Sequence, residues 1–316
     1  MMHISVNKRS PQIVRLRKRD MRNMFLCQMQ TPLRSWLLLV LIGAIWGSSF
    51  ILMKKGLMVF SDVQIATMRM GMAWLVTLPF LLGRFKEISK KEWLILLSVG
   101  LLGNGLPAFL FATAQTKIDS SLAGMLNSLV PLLTMTFGLL LFGLRTWLLQ
   151  VIGLVIGFVG AIMLIVMPGG ISGFQPAALL VVLASTCYAF NLNVVRRYLS
   201  KMPSMLITAG SFLWVGPFCL IYLFTTDFTS RFEHEAALQS FGAIVILAVV
   251  GTTIAVLMFN KLIQSGGAVF ASMVTYIVPI VAIIWGVLDG ESISVWSILG
   301  VFVILAGVYL VNKPAS

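Results

Sequence analysis

One arginine, Arg69, lies in the interior of an apolar run that contains no acidic residue. A guanidinium in such surroundings must reach water, contact other parts of the protein or bind a ligand, because lipid cannot solvate it. It could attract a carboxylate or another anionic group. It could equally extend to the membrane interface or hold a neighbouring helix by binding its carbonyl groups. The sequence leaves these three interpretations open.

Uncharged polar residues in the other apolar runs form a second set of candidates. Tyr188 and Asn191 are three residues apart, which places them on one face of a helix. Trp46 precedes Tyr188 by 142 residues, a spacing that relates two similar halves of the chain. We therefore expect the two rings to face each other across a cavity. A packing role for Trp46 is equally open, because Gly43 and Gly47 have a close-approach spacing. Interhelical hydrogen bonds are the commoner role of residues of this kind. The candidate substrate-contacting residues are Trp46, Ser49, Arg69, Asn104, Asn127, Tyr188, Asn191, Thr252, Asn260 and Tyr276.

Two carboxylates, Asp289 and Glu291, follow the ninth apolar run and are candidates for coupling or gating. We expect water at the end of this run to keep their pKa values near the ordinary ones. No apolar run carries Asp or Glu in its interior. A buried carboxylate tuned toward neutral pH, which could shuttle protons, is therefore not predicted there.

The residue set offers no basis for an enzyme, a cofactor site or a metal site. His3 and His234 lie outside every apolar run, and the three cysteines are far apart. The interiors of the runs contain neither a nucleophile paired with a base nor a pair of carboxylates. A Walker A motif is also absent, so the chain is not powered by its own ATP hydrolysis.

The composition is that of a membrane protein. Of the 316 residues 59% are apolar and 10% are charged, and the mean hydropathy is +0.99. A soluble domain has about a quarter charged residues, and the strands of a membrane barrel alternate apolar with polar residues. We therefore predict an all-α polytopic membrane protein whose partners are a small-molecule substrate and the lipid bilayer.

Ten apolar runs are long enough to cross a bilayer. A basic arm, residues 1–34, precedes them, and we assign it no function. The predicted spans are 35–55, 63–83, 93–112, 121–142, 147–167, 177–197, 205–225, 240–261, 267–288 and 295–312.

The distribution of positive charge predicts the orientation. With alternating spans and an inner N-terminus, 18 of the 23 basic residues lie inside, four lie outside and Arg69 is within a span. Cytoplasmic loops collect Lys and Arg, so both termini are expected in the cytoplasm. The excess of Lys and Arg on the cytoplasmic side explains the net charge of +13, so nucleic acid is not a predicted partner.

The chain contains an internal repeat. Gly103 aligns with Gly251 and Pro131 with Pro279, both at a spacing of 148 residues. Gly153 aligns with Gly300 at a spacing of 147 residues. The units, 35–167 and 177–312, have five spans each. An odd number of spans predicts that they have opposite orientations, an arrangement typical of secondary transporters with a midplane substrate site.

The order of these motifs resembles the EamA type of the drug/metabolite transporter superfamily. The segments that carry the resemblance are AIWGSSF, SSLAGMLNSLVPLLT and SMVTYIVPIVAIIWGVLDGESI. It covers residues 35–312 and implies ten helices and the export or exchange of metabolites, amino acids or drugs. Leu144 departs from the family pattern, which usually has Glu there. Only Glu291 could fill the role of that residue.

We therefore expect a secondary transporter in the cytoplasmic membrane, an exporter or exchanger of small metabolites such as amino acids or related amphipathic solutes. Without a carboxylate in any span interior, transport is expected to be facilitative or exchange-driven, without obligatory proton antiport. A lipid or lipid-linked sugar flippase and a non-transporting receptor or assembly subunit are the alternatives. The sequence leaves open whether the protein forms a homodimer.

Overall fold

The computed structural model describes residues 33–143, 146–167 and 175–313, and the side chains of 263–269 and 272 lie outside the description. The basic arm up to residue 32, residues 144–145 (which include Leu144) and segment 168–174 between the fifth and sixth helices are likewise outside it. The described elements are helical. They are α1 Leu33–Gly56, α2 Asp62–Leu81, α3 Lys90–Gln115, α4 Ser120–Leu141, α5 Leu148–Val166, α6 Ala178–Tyr198, α7 Ser204–Leu223, α8 (Ala237–Ile246, Leu247–Ile254 and Ala255–Ser272), α9 Val274–Leu288 and α10 Val295–Asn312.

Eight described helices are long and apolar enough to cross a membrane. Two predicted spans fall outside this set: α2, and α9, which has 15 residues. The predicted loop at 262–266 was wrong, because the Ala255–Ser272 helix runs through it and the break lies at Met273. Glycine weakens a helix without ending it as proline does, so the pair Gly266–Gly267 does not interrupt the Ala255–Ser272 helix.

Local sequence explains where α2 and α3 begin. Ser61 accepts a hydrogen bond from the Gln64 backbone N–H at 3.2 Å, and the Gln64 side chain accepts one from the Ser61 N–H. Ser89 and Glu92 form the same reciprocal arrangement at the start of α3. Each capping box satisfies backbone donors that the first helical turn leaves unpaired.

Glycines allow several helices to approach closely. A Cβ at Gly43 or Gly47 of α1 would lie within 2.6 Å of Ile277 or Val281 of α9. Between α5 and α10, Gly153 faces the Gly307 carbonyl and Gly160 faces the Gly300 carbonyl. Small residues of this kind let membrane helices gain van der Waals contact. The predicted close approach in the GAIWG segment is therefore present, and it joins α1 to α9.

Two helices contain π-helical segments, Leu101–Gly105 in α3 and Leu247–Ile254 in α8. In α3 the Asn104 side chain donates to the Val99 carbonyl at 3.3 Å, and in α8 the Thr252 hydroxyl donates to the Leu247 carbonyl at 3.0 Å. Both bonds reach back five residues, so these side chains satisfy carbonyls that the wider turn frees. Such segments are often found at functional sites.

The packing of α5 against α10 gives a first prediction. A Cβ at Gly307 would lie 2.5 Å from Gly157 N and 2.6 Å from Gly153 O, which are rigid backbone atoms. Gly307→Ala should therefore destabilise the protein by about 1–3 kcal/mol. The measurement is thermal unfolding in detergent. Gly242→Ala is the matched control, since nothing lies within 4 Å of a Cβ at Gly242. Equal melting temperatures for the two variants would contradict this packing.

Candidate functional site

Arg69 turns toward the helices that surround α2. Its Nε donates a hydrogen bond to the Thr252 hydroxyl of α8 at 2.6 Å. Its guanidinium also lies beside the Tyr188 hydroxyl of α6. The side chain is partly buried, and no carboxylate of the described ranges forms an ion pair with it. The structure thus brings two other candidate residues, Thr252 and Tyr188, to a cation that lacks an anionic partner in those ranges.

A similar contact without a charge lies between α3 and α7. Asn104, which is buried, donates to the Ser211 hydroxyl at 3.3 Å. Asn104 aligns with Thr252 at a spacing of 148 residues, and Ser211 follows Arg69 by 142 residues, the spacing that relates Trp46 to Tyr188. The Arg69–Thr252 contact between α2 and α8 and the Ser211–Asn104 contact between α7 and α3 are therefore equivalent in the two units.

Each candidate aromatic ring packs on a phenylalanine of another helix. Trp46 packs on Phe259 with ring centroids 4.8 Å apart and donates from Nε1 to the Gly251 carbonyl at 3.2 Å. Tyr188 stacks on Phe111 at 5.8 Å. Trp46 and Tyr188 form no ring contact in the described ranges, and that they face each other across a cavity stays a prediction. Each ring is held by the π-containing helix of the other unit.

Ser49 and Asn191 also lie on aligned positions, and each packs against a glycine of a π-containing helix. A Cβ at Gly251 would lie 2.8 Å from Ser49 Oγ, and one at Gly103 would overlap the Asn191 amide. The Ser49 hydroxyl donates to its own helix, to the Ile45 carbonyl at 3.0 Å. The Asn191 Oδ1 is buried without a hydrogen-bond partner. Asn191, one helical turn from Tyr188 on α6, therefore has an unused acceptor.

The three remaining candidates lie in other contacts. Asn260 of α8 donates to the Thr208 hydroxyl of α7 at 3.4 Å. Asn127 lies in a 3-10 segment of α4, and its Oδ1 is buried without a partner. Tyr276 of α9 lies beside Asn312 of α10. The Asn260 and Tyr276 contacts join neighbouring helices, which is the commoner role of polar residues in membrane spans.

A cluster of charged and polar groups closes the end of the bundle where α1 ends and α4 begins. The Glu291 carboxylate accepts from Lys54 Nζ at 2.7 Å and from the Ser120 hydroxyl at 2.7 Å. It also accepts from the backbone N–H groups of Ser120 and Ser121, both at 3.0 Å. The Glu291 side chain is only 2% exposed. One carboxylate thus binds the end of α1 and the first turn of α4.

Asp289 extends this cluster. It forms ion pairs with Lys54 at 2.7 Å and with Lys55 at 2.5 Å. We name Lys54, Lys55, Ser120, Ser121, Asp289 and Glu291 the α1–α9 ion cluster. Sequence reasoning missed its Lys and Ser members, although alternation of the spans already put Lys54 and Lys55 on the same side as the two carboxylates.

The expectation of ordinary pKa values in this cluster was wrong. Hydrogen bonds from Lys54, Ser121 and Ser120 outweigh burial, which acts in the opposite direction, and lower the pKa of Glu291 from 4.5 to about 2. Hydrogen bonds from Lys54 and Lys55 also lower the pKa of Asp289. The turn after α9 folds onto α1 and α4, so donors of the protein replace water around these carboxylates.

A polar pocket of about 210 Å³ lies next to the ion cluster. Burial and the nearby Glu291 raise the pKa of Asp119, one of its lining groups. The pocket is lined by Lys54, Gln115, Thr116, Lys117, Ile118, Asp119 and Ser120.

The helical architecture and its polar interior define a multi-pass membrane protein, and comparisons with known proteins define its class. A sequence model of the EamA-like transporter family matches residues 34–166 and 175–313. The chain therefore belongs to the EamA-like transporter family and is a membrane transporter.

Relatives and a solved structure agree with this assignment. The chain is 30% identical to the uncharacterized inner membrane transporter YedA of Escherichia coli strain K12, over 84% of this chain and 89% of YedA. It is 24% identical to a probable amino-acid metabolite efflux pump of Salmonella typhimurium, over 86% of this chain and 93% of the pump. A solved crystal structure with 18% identity has a TM-score of 0.61, covering 89% of this chain and 96% of its own, and shares the fold.

The Glu291 contacts predict how stability depends on pH. Because the folded pKa of about 2 is below the ordinary 4.5, the ionised carboxylate stabilises the fold above pH 4.5, by on the order of 3 kcal/mol. That stabilisation is lost as the pH falls toward 2. Glu291→Gln should thus lower the melting temperature at neutral pH, and the gap to the native chain should close on acidification.

The measurement is thermal unfolding in detergent across this pH range. Glu235→Gln is the control, because Glu235 is exposed and forms no ion pair in the described ranges. If the native chain and Glu291→Gln unfold with the same pH profile, the carboxylate has no such role.

Proposed function

We propose that this protein is a secondary transporter, an exporter or exchanger of small carboxylate-bearing solutes such as amino acids and related amphipathic metabolites. The observation that carries this proposal is the Arg69 guanidinium, which lies inside the helical bundle beside Thr252 and Tyr188 without an anionic partner in the described ranges. A guanidinium can bind a carboxylate through two parallel hydrogen bonds. The name of the Salmonella relative supports amino-acid metabolites as the class.

Aromatic contacts supply the apolar part of the proposed site. The Trp46–Phe259 and Phe111–Tyr188 pairs involve α6 and α8, the helices whose Tyr188 and Thr252 contact Arg69. An amphipathic solute would place its carboxylate at Arg69 and its apolar part against these rings. The unpartnered Oδ1 of Asn191 could accept a hydrogen bond from the ammonium group of an amino acid.

The proposed mechanism is alternating access between two five-helix units of opposite orientation. Aligned positions make equivalent contacts, which supports this arrangement. Arg69–Thr252 corresponds to Ser211–Asn104, and Trp46–Phe259 corresponds to Tyr188–Phe111. The Gly153–Gly307 approach likewise corresponds to Gly300–Gly160. Each pair joins one unit to the other, as expected for two units related by a two-fold axis in the membrane plane.

The α1–α9 ion cluster is the proposed outer gate. Lys54 and Ser120 belong to the first unit and Glu291 to the second, so these bonds must break before the outer side opens. At a spacing of 147 residues, Leu144 is the first-unit equivalent of Glu291, and it cannot form ion pairs. The outer side is thus closed by ion pairs, whereas Leu144, at the equivalent inner position, carries no charge.

Transport is proposed to be facilitative or exchange-driven, and the protein is proposed to have no enzymatic activity. The low pKa of Glu291 supports the first point, because a carboxylate that stays ionised near neutral pH does not carry protons. A pH gradient imposed across liposomes should therefore not concentrate the substrate.

Arg69 provides the direct test of the proposed site. Arg69→Ala should abolish transport of amino acids in liposomes, because the substrate carboxylate loses its charged partner. Arg69→Lys should recover it only partly, since lysine keeps the charge but lacks the planar fork. The control is Thr77→Ala on the same helix, because the Thr77 hydroxyl bonds only to carbonyls of α2. Full activity of Arg69→Ala, measured on folded protein, would rule out the proposed site.

Orientation is tested by cysteine labelling. We propose that both termini are cytoplasmic in the inner membrane, which puts loop 226–239 outside. After replacement of Cys27, Cys187 and Cys219, Ser230→Cys should react with an impermeant thiol reagent added to intact cells, whereas Ser200→Cys should not. Reaction of the Ser200 variant alone would invert the proposed orientation, and equal reaction of both would also refute it.

A further inference from the structure

An apolar groove lies on the surface formed by α7 and the junction of α2 with α3, apart from the proposed transport site. It has a volume of about 420 Å³. Phe218, at 68% exposure, and Phe85, at 40%, are its outer walls. The groove is lined by Phe85, Trp93, Leu213, Trp214, Pro217 and Phe218.

Three aromatic rings form a continuous row along this groove. Phe85 stacks on Trp93 with centroids 6.0 Å apart and an angle of 21° between the ring planes. Trp93 in turn meets Trp214 edge-on at 6.4 Å and 75°. The row therefore runs from the loop between α2 and α3 onto α7. Tryptophan at such a helix end is typical of the membrane–water boundary, where acyl chains meet headgroups.

Positive charge borders the loop end of the row. Lys86 is next to Phe85 in sequence, and Lys90 and Lys91 precede Trp93. All three lysines are exposed, and none forms an ion pair in the part of the chain that the structure describes. Arg84 is different, because Glu87 binds its guanidinium through two hydrogen bonds of 2.7 Å.

The first turn of α3 does not supply the positive potential. Its capping box already uses Ser89 and Glu92 to satisfy the backbone donors. The unpaired charge at the loop end of the groove therefore belongs to the lysine ammonium groups, which attract an anionic headgroup at the membrane surface.

We propose that this groove binds one anionic phospholipid. An acyl chain lies along Trp214, Pro217 and Phe218, and the phosphate lies at Lys86 and Lys90. The apolar groove alone would accept any acyl chain, so the lysines determine the preference for an anionic headgroup over a zwitterionic one. The lipid is a bound ligand at a defined surface and takes no part in the substrate site at Arg69.

The test uses phospholipids with brominated acyl chains, which quench nearby tryptophans. The purified full chain is reconstituted in nanodiscs of phosphatidylethanolamine with a small share of either brominated phosphatidylglycerol or brominated phosphatidylethanolamine. We expect stronger quenching by the brominated phosphatidylglycerol. Trp93→Phe and Trp214→Phe should each remove part of this excess, because they remove the tryptophan rings that line the groove and report on the bromine. Equal quenching by the two lipids would overturn the proposal.

Charge variants separate the site from general attraction to anionic lipid. The double variant Lys86→Gln with Lys90→Gln should weaken retention of phosphatidylglycerol about tenfold in native mass spectrometry, and it should abolish the excess quenching. Lys313→Gln is the matched control, an exposed lysine at the end of α10. If both the double variant and Lys313→Gln retain the lipid like the native chain, or both lose it equally, the groove is not the site.

Discussion

The bilayer solvates neither a charge nor an unpaired hydrogen-bonding group, and this constraint explains the polar interior of the protein. Arg69 is the clearest case. Its guanidinium is buried in part among α2, α6 and α8, where Thr252 and Tyr188 surround it. These neighbours are uncharged, so the site satisfies hydrogen bonds while leaving the positive charge without an anion in the described ranges. A substrate carboxylate would supply it.

The π-helical segments follow from the same constraint. A wide turn frees a carbonyl, and Asn104 and Thr252 each return a hydrogen bond to the carbonyl five residues before them. Both side chains also form the contacts that join their helices to α7 and α2. Local departure from the α-helix thus positions the polar groups of the proposed site.

Much of the helical architecture could be predicted from the sequence, because the bilayer imposes length and composition on every span. Contacts between spans could be predicted less well from the sequence. Trp46 and Tyr188 are aligned in the repeat, but the alignment did not predict the phenylalanine partners of these rings, Phe259 and Phe111. Aligning the two units shows which of their residues are equivalent, but it does not show which residues contact each other. Glu291 was assigned to water because of its position after a span, whereas the turn folds it against α1 and α4.

The central claim is that Arg69 recognises a carboxylate. The most direct measurement is calorimetric binding of a transported amino acid and of its uncharged amide to the purified native chain and to Arg69→Gln. A charge-assisted hydrogen bond contributes about 1.5–3 kcal/mol. The native chain should therefore bind the amino acid at least about tenfold more tightly than the amide, and Arg69→Gln should bind both with similar affinity. The same preference for the carboxylate in both proteins would contradict this account.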